Sequence, residues 1–163
     1  VSRARRPKPP IVDLLVTNHA GQRVPCTRPA LARLAERILV GEGISGEVEI
    51  SLLYCDDDEI QGLNRQYRRK NKPTDVLSFT LSERCGDRLV LGDIVISLPT
   101  ASRQSASVGA ALNEEVRLLF CHGLLHLLGH DHGTRAEESA MITKQAHYLG
   151  VQPEAAWRHV TSH

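Results

Sequence analysis

The spacing of apolar positions changes several times along the chain, and each change marks an element. Ile11 to Thr17 is short and rich in β-branched residues, which predicts a strand. Thr27 before Arg28-Pro29 has the chemistry of a helix start. Leu31, Leu34, Ile38 and Leu39 then recur on one helical face until Gly41 and Gly43 end it. Alternation returns from Glu47 to Tyr54, where Val48, Ile50 and Leu52 predict the inner side of a half-buried strand. The acidic run from Asp56 to Glu59 opens the next helix, at the end where the dipole favours negative charge. Ile60, Leu63 and Tyr67 are its expected buried face. Pro73 to Phe79 leads into a third strand and Leu89 to Ser97 forms a fourth, interrupted at Gly92-Asp93, with residues 83–88 as the turn between them. Three helices follow: Pro99 to Ser107, broken by Gly109; a long apolar one from Asn113; and Arg135 to Leu149, closed by Gly150.

The order β-α-β-α-β-β-α-α-α predicts an α+β fold, a small mixed four-stranded sheet packed with about five helices. A length of 163 residues suits one domain, expected over residues 11–163. Hydrophobic residues make up 41% but aromatics only 4%, so the core rests on Leu, Val, Ile and Ala. A net charge of +1 excludes neither nucleic acid nor protein as partner. The charge is clustered, however. Arg65, Arg68, Arg69, Lys70 and Lys72 form one basic stretch. Arg3, Arg5, Arg6 and Lys8 form another within residues 1–10, which read as a flexible basic arm. A basic patch beside a metal suits a phosphate backbone. Cys26, Cys55, Cys85 and Cys121 show no C-x-x-C pairing, which argues against a cysteine zinc site. With no signal-peptide pattern and no bilayer-length apolar run, they point to the reducing cytoplasm and away from membranes.

Residues 121–132 carry the chemistry. His122 and His126 are four apart in an apolar helix, so their rings share a face and can grip one metal ion. Gly129 is placed to stop the helix in a left-handed conformation, and His132 can return as a third ligand. His130 is the alternative third ligand. Three neutral imidazoles suit one Zn2+ per chain and leave the fourth tetrahedral position for water, the mark of a catalytic site. The H-x-x-x-H-x-x-G-x-x-H spacing is also that of the metzincin peptidases, and it favours His132. Those enzymes carry a general-base Glu directly after the first histidine, where this chain has Gly123. The loss is serious for peptide hydrolysis and less so for a phosphodiester, where metal and a nearby cation can stabilise the phosphoryl charge. Met141 sits downstream as a Met-turn would, but in a helical stretch, so core packing is its expected role. Cys121 adjoins a ligand but should point elsewhere on the helix. His147 and His159 have no partners at metal spacing.

Several stretches together resemble the YbeY family of bacterial rRNA maturation factors, zinc-containing endoribonucleases specific for single strands. They are Leu63-Asn64-Arg-Gln-Tyr67-Arg68, Pro73-Thr74-Asp75-Val76-Leu77-Ser78-Phe79, Leu91-Gly92-Asp93-Ile94 and His122 to His132. They occur in the family's order between about residues 50 and 145. The resemblance implies zinc on His122, His126 and His132 and an important arginine at Arg68. It implies action on single-stranded RNA in 16S rRNA 3′-end processing, ribosome maturation and quality control. The implied partners are precursor rRNA and the small ribosomal subunit with its proteins or assembly factors. Asn71, where an acid is common, and Thr80, where proline often follows Phe79, depart from the pattern. Bottom-up, Arg68 heads the basic cluster, and a guanidinium can hold phosphate oxygens in a bidentate way. Asp93 either orients a ligand histidine or holds the Gly92 turn. Thr74 and Asp75 read as turn residues after Pro73. The alternatives to a ribonuclease are a metzincin-like metallopeptidase and a non-catalytic ribosome assembly factor with structural zinc.

Overall fold

The sheet is built by one parallel crossover and one hairpin, joined through a helix, in a computed structural model that describes residue 4 and residues 8–156. Arg3, Arg5 and Arg6 of the expected basic arm, and His159, lie outside the described residues. Strand β1 (Ile11–Asn18) runs through helix α1 (Arg28–Gly41) into β2 (Glu47–Cys55), and helix α2 (Asp57–Arg68) follows. The hairpin β3 (Val76–Cys85) and β4 (Arg88–Ser97) completes a sheet of order β1-β2-β4-β3. β1, β2 and β4 are parallel, and β3 runs antiparallel to β4 at the edge. Helices α3 (Leu98–Ser107), α4 (Leu112–Leu127) and α5 (Arg135–Leu149) and a short 3-10 helix at Pro153–Ala156 complete the fold.

The expected mixed α+β architecture is present, and the local signals act as their chemistry dictates. Thr27 and Asp56 cap α1 and α2 by accepting the backbone N–H groups of Ala30 and Glu59. Asp57 ties α2 to the start of α3, accepting from Ser97 Oγ and Thr100 Oγ1 and pairing with Arg103. The acidic run is therefore structural. Some boundaries differ from expectation. β3 persists through Cys85, so the hairpin turn is only Gly86-Asp87. α4 begins at Leu112 with no side-chain cap. Tyr67 is not buried: α2 buries Ile60 and Asn64, and Tyr67 is 59% exposed. Thr74 and Asp75 are buried rather than turn residues on the surface. Asp75 Oδ1 accepts from the Val76 N–H at 2.7 Å and so anchors the entry to β3.

One face of the sheet meets α1 and α4, and the other meets α2. Val48, Ile50, Leu52 and Tyr54 of β2 point into the main core, while Leu53 points toward Ile60, Leu77 and Val95 under α2. β4 breaks strict alternation. Leu89 and Leu91 share the main core with Ile94 and Ile96, because one residue is skipped between the partners of Glu49 and Ile50. Gly92 sits at this bulge with φ +143°, and a Cβ there would lie 2.1 Å from the Phe79 carbonyl oxygen. No side chain fits.

α5 is fastened to α1 by a polar knot. Gly43 turns the end of α1 with a left-handed φ, whereas Gly41, still helical, lets the Tyr148 ring approach where a Cβ would clash with it. The neighbouring Glu42 carboxylate accepts from Tyr148 Oη (2.8 Å), Lys144 Nζ (2.9 Å) and His130 Nε2. Burial alone would raise its pKa. The bonds from Lys144, Tyr148 and His130 outweigh that and hold the carboxyl below its ordinary value. Such a group stabilises the fold above the unfolded carboxylate range, and that stability is lost as pH falls through the lowered folded value. Glu42→Gln is expected to cost about 1–3 kcal/mol at neutral pH. The deficit should shrink as pH drops below about 4, because the wild type then loses the same charge. Urea unfolding of both proteins in metal-free buffer between neutral and acid pH checks this; parallel curves would contradict it.

Candidate metal centre

α4 lies across β3 and β4 with α1, α3 and α5 around it. Consequently it is buried from Glu115 to Leu127 except at a few positions. The close approach is made at Gly123. A Cβ there would stand 2.9 Å from Ile94 Cγ2 and 3.1 Å from Ser78 Oγ, and Ser78 Oγ donates to the Gly123 carbonyl at 3.2 Å. The position that holds a general base in metzincins is here pressed against Ile94 and Ser78, with no room for a side chain unless they shift.

The helix ends as the glycine predicts. Gly129 has φ +96°, its N–H donates to the His126 carbonyl, and the His130 N–H reaches back to the Leu125 carbonyl. This paired closure reverses the chain. Asp131 Oδ1 then accepts the His132 N–H at 2.7 Å, which sets the loop that returns His132 to the helix. His126 Nε2 comes within 3.0 Å of both His122 Nε2 and His132 Nδ1. One nitrogen cannot donate a single proton to two neighbours, and converging lone pairs repel unless a cation lies between them. Nitrogens about 2.0–2.1 Å from a tetrahedral zinc stand roughly 3.3 Å apart, close to what the triad shows. The three rings thus fit one metal ion. His130 is not the third ligand, since its Nε2 is engaged by Glu42.

The surroundings prepare the rings for a cation. His122 is fully buried, and its Nδ1 lies 2.8 Å from Gln145 Oε1. The Gln145 amide nitrogen donates to the Ala156 carbonyl, so its oxygen must face the ring. His122 Nδ1 therefore carries the proton, and Nε2 presents its lone pair toward His126. Burial, with the nearby His132 and Arg68, pushes His126 down to about 4. It stands neutral at physiological pH, the form a metal requires.

Arg68 reaches the same place from α2. Its side chain lines a polar cavity of about 340 Å³ with Ser78, Thr80, His126, Asp131 and His132. Its Nη2 donates to the Ser78 carbonyl at 2.7 Å, and its guanidinium lies 5.8 Å from the Phe79 ring centre. The rest of the basic stretch, Arg65, Arg69, Lys70 and Lys72, is exposed beside it. Asn64 holds the loop between them, its Nδ2 donating to the Lys72 carbonyl and its own carbonyl accepting the Lys70 N–H.

Other candidates lie elsewhere. Asp93 is exposed on the opposite face of the sheet, so it does not orient a ligand. Cys121 is buried in the main core, its thiol pushed up to about 12 by burial, and Met141 packs in the same core. His147 is exposed. Gln145 and Glu42 escaped the sequence reading. Gln145 did leave a trace, as the polar member of the buried row Met141, Gln145 and Tyr148 at helical spacing.

Comparison with known proteins agrees with this geometry. Residues 16–151 match the family model described as Endoribonuclease YbeY. The protein named endoribonuclease YbeY in Pelotomaculum thermopropionicum is 46% identical over 125 residues, covering 74% of this chain and 82% of that one. Its namesake in Aquifex aeolicus is 44% identical over 119 residues, covering 73% and 79%. A solution structure from Thermotoga maritima superposes with a TM-score of 0.56 at 26% identity, covering 88% of this chain and 89% of that one. With a family match over most of its length and relatives this similar, the chain belongs to the YbeY family.

Proposed function

We propose that the protein is a zinc-dependent, single-strand-specific endoribonuclease acting in 16S rRNA 3′-end processing, ribosome maturation and quality control. The observation that carries the reading is that Arg68 lines one small polar cavity with His126 and His132, two of the three clustered histidines. Zinc is the ion of choice because three neutral imidazoles satisfy it and leave one tetrahedral position open. Bound there, it would supply a Lewis acid for a phosphoryl oxygen and acidify a water molecule. The remaining roles belong to the chain. His122, His126 and His132 hold the ion, and Gln145 keeps the His122 proton on Nδ1, away from it. Arg68 spends one N–H on the Ser78 carbonyl and keeps others for phosphate oxygens. The exposed basic stretch beside it draws the polyanion in without regard to sequence. The proposed partners are single-stranded precursor rRNA and the small ribosomal subunit with its proteins or assembly factors, and the proposed setting is the cytoplasm. No helix among the described residues is long and apolar enough to cross a membrane.

The deciding experiment incubates purified, metal-quantified protein with single-stranded and duplex RNA, beside metal-ligand variants as contamination controls. Cleavage confined to single strands and lost with the metal is the expected result. The end groups of the products show whether water or the ribose 2′-hydroxyl attacks.

The wild type is expected to hold near one zinc per chain, and His126→Ala to lose it. Two remaining ligands bind far more weakly, and His126 is the ring that touches both others. Metal analysis after dialysis at submicromolar free zinc checks this; stoichiometric zinc in the variant would refute the ligand set.

Arg68→Ala is expected to keep its zinc and its fold while losing about a hundredfold in cleavage rate, on the order of 3 kcal/mol of transition-state stabilisation. Lysine should restore only part, as a point charge without the fork. Saturating-RNA kinetics decide the matter. A loss confined to apparent affinity, shrinking at low salt, would make Arg68 a backbone contact instead.

Gly123→Glu restores the metzincin motif on paper, yet it is expected to lower the melting temperature and to yield no peptide cleavage. The new side chain must enter the packed contact with Ile94 and Ser78. Zinc-dependent cleavage of casein by a stable variant would revive the peptidase reading.

A further inference from the structure

On the sheet face away from α4, helix α2 leaves part of the surface uncovered. The gap is a cleft of about 570 Å³ whose lining includes Leu53, Leu63, Tyr67, Phe79, Asp93 and Val95. Its floor is aliphatic and its wall aromatic. Tyr67 and Phe79 meet edge to face with ring centres 5.3 Å apart, and Tyr67 keeps 59% of its surface exposed. An exposed ring over an apolar floor with a few polar groups has the composition of a ligand site. Asp93, exposed at the bulge, supplies an acceptor at its margin.

The cleft and the metal centre lie on opposite faces of the sheet, on either side of its edge strand. β3 is the outermost strand, and its alternate residues face opposite ways. Ser78 and Thr80 line the metal cavity, and Phe79 between them lines the cleft. Arg68 joins the two, donating to the Ser78 carbonyl while its guanidinium stands over the Phe79 ring. A chain that placed a phosphate at Arg68 would have its adjoining base within reach of Tyr67. The exposed cations Arg65, Arg69, Lys70 and Lys72 flank this turn of α2, which suits a polyanion better than an apolar peptide.

We propose that this cleft is a nucleobase pocket. A base next to the phosphate at the metal centre leaves its own stack, crosses the β3 edge and stacks on Tyr67, with Asp93 accepting from a base N–H. The inference rests on the reading of the protein as acting on RNA, and it gives that reading a physical basis for strand selectivity. A base held in a duplex is paired and stacked and cannot enter the pocket, whereas one in a single strand can.

The test uses the full chain, with Tyr67→Leu and Tyr67→Phe. Tyr67→Leu keeps apolar volume without a π face, and Tyr67→Phe keeps the face. A short single-stranded oligoribonucleotide carrying 2-aminopurine at successive positions is titrated in chelator, which arrests metal-dependent cleavage. One position should be quenched by wild type and Tyr67→Phe. Tyr67→Leu should lose that quench and bind about tenfold more weakly. An abasic residue at the same position should weaken wild type by a similar factor and leave Tyr67→Leu unchanged. A hairpin without single-stranded flanks should bind all three proteins alike. Equal quench and equal affinity in wild type and Tyr67→Leu would overturn the pocket while leaving RNA binding intact. Failure of the wild type to bind or cleave any single-stranded RNA would instead remove the RNA reading and the pocket with it.

Discussion

Everything at this centre depends on how closely helix α4 approaches the sheet. The contact is made where Gly123 offers only backbone to Ile94 and Ser78. A helix seated this deep is walled in by α1, α3 and α5 on its other sides, and the ring of His122 is left with no water at all. Burial penalises the charged imidazole, and it holds His126 neutral with a lone pair available. The same contact leaves no room for a side chain at position 123. Packing that buries the first histidine thus also crowds out the place from which a peptidase-type base would act.

The third ligand comes from a different economy of forces. Five residues after the helix ends, His132 must stand beside His126, and two backbone bonds across Gly129 reverse the chain to bring it there. The loop is held on both sides of the turn. Asp131 caps the His132 N–H, and Glu42 engages His130, which joins the ligand loop to the knot between α1 and α5. α5 meanwhile sends Gln145 to His122. One ring and the loop that carries another are thereby tied to elements far away in sequence. Disturbance of the α1–α5 junction should reach the triad through these bonds without touching its histidines.

Arg68 occupies the other side of the centre by a route that begins with capping. Asp56 and Asp57 fix the start of α2, and Asn64 fixes the loop after it. The last turn of the helix is thus held over the β3 edge, with Tyr67 and Arg68 as neighbours on it. The single skipped residue at Gly92 completes the arrangement. It keeps Ile94 and Ile96 inward against α4 while turning Asp93 outward.

The local chemistry of this chain was legible in its sequence. Caps at Thr27 and Asp56, the alternation in β2, the left-handed Gly129 and the H-x-x-x-H face each depend on residues a few positions apart, and such interactions survive in any fold. The order of elements limited the architecture to a mixed sheet with helices. Other features needed distant parts of the chain to meet. Tyr67 has the spacing of a core residue, yet α2 overhangs the sheet there and leaves it exposed. Asp75 has the composition of a turn, yet it is buried as the anchor of β3. Asp93 adjoined the right motif but faces the wrong side, because a bulge reverses the alternation that sequence spacing assumes. Gln145 and Glu42 carried no motif, since their partners lie 23 and 88 residues away. The sequence by itself determined that three histidines can meet, because helix pitch and one glycine bring them together. Only the tertiary structure decided what else surrounds them, because burial and long-range pairing are properties of packed surfaces and not of spacing along a chain.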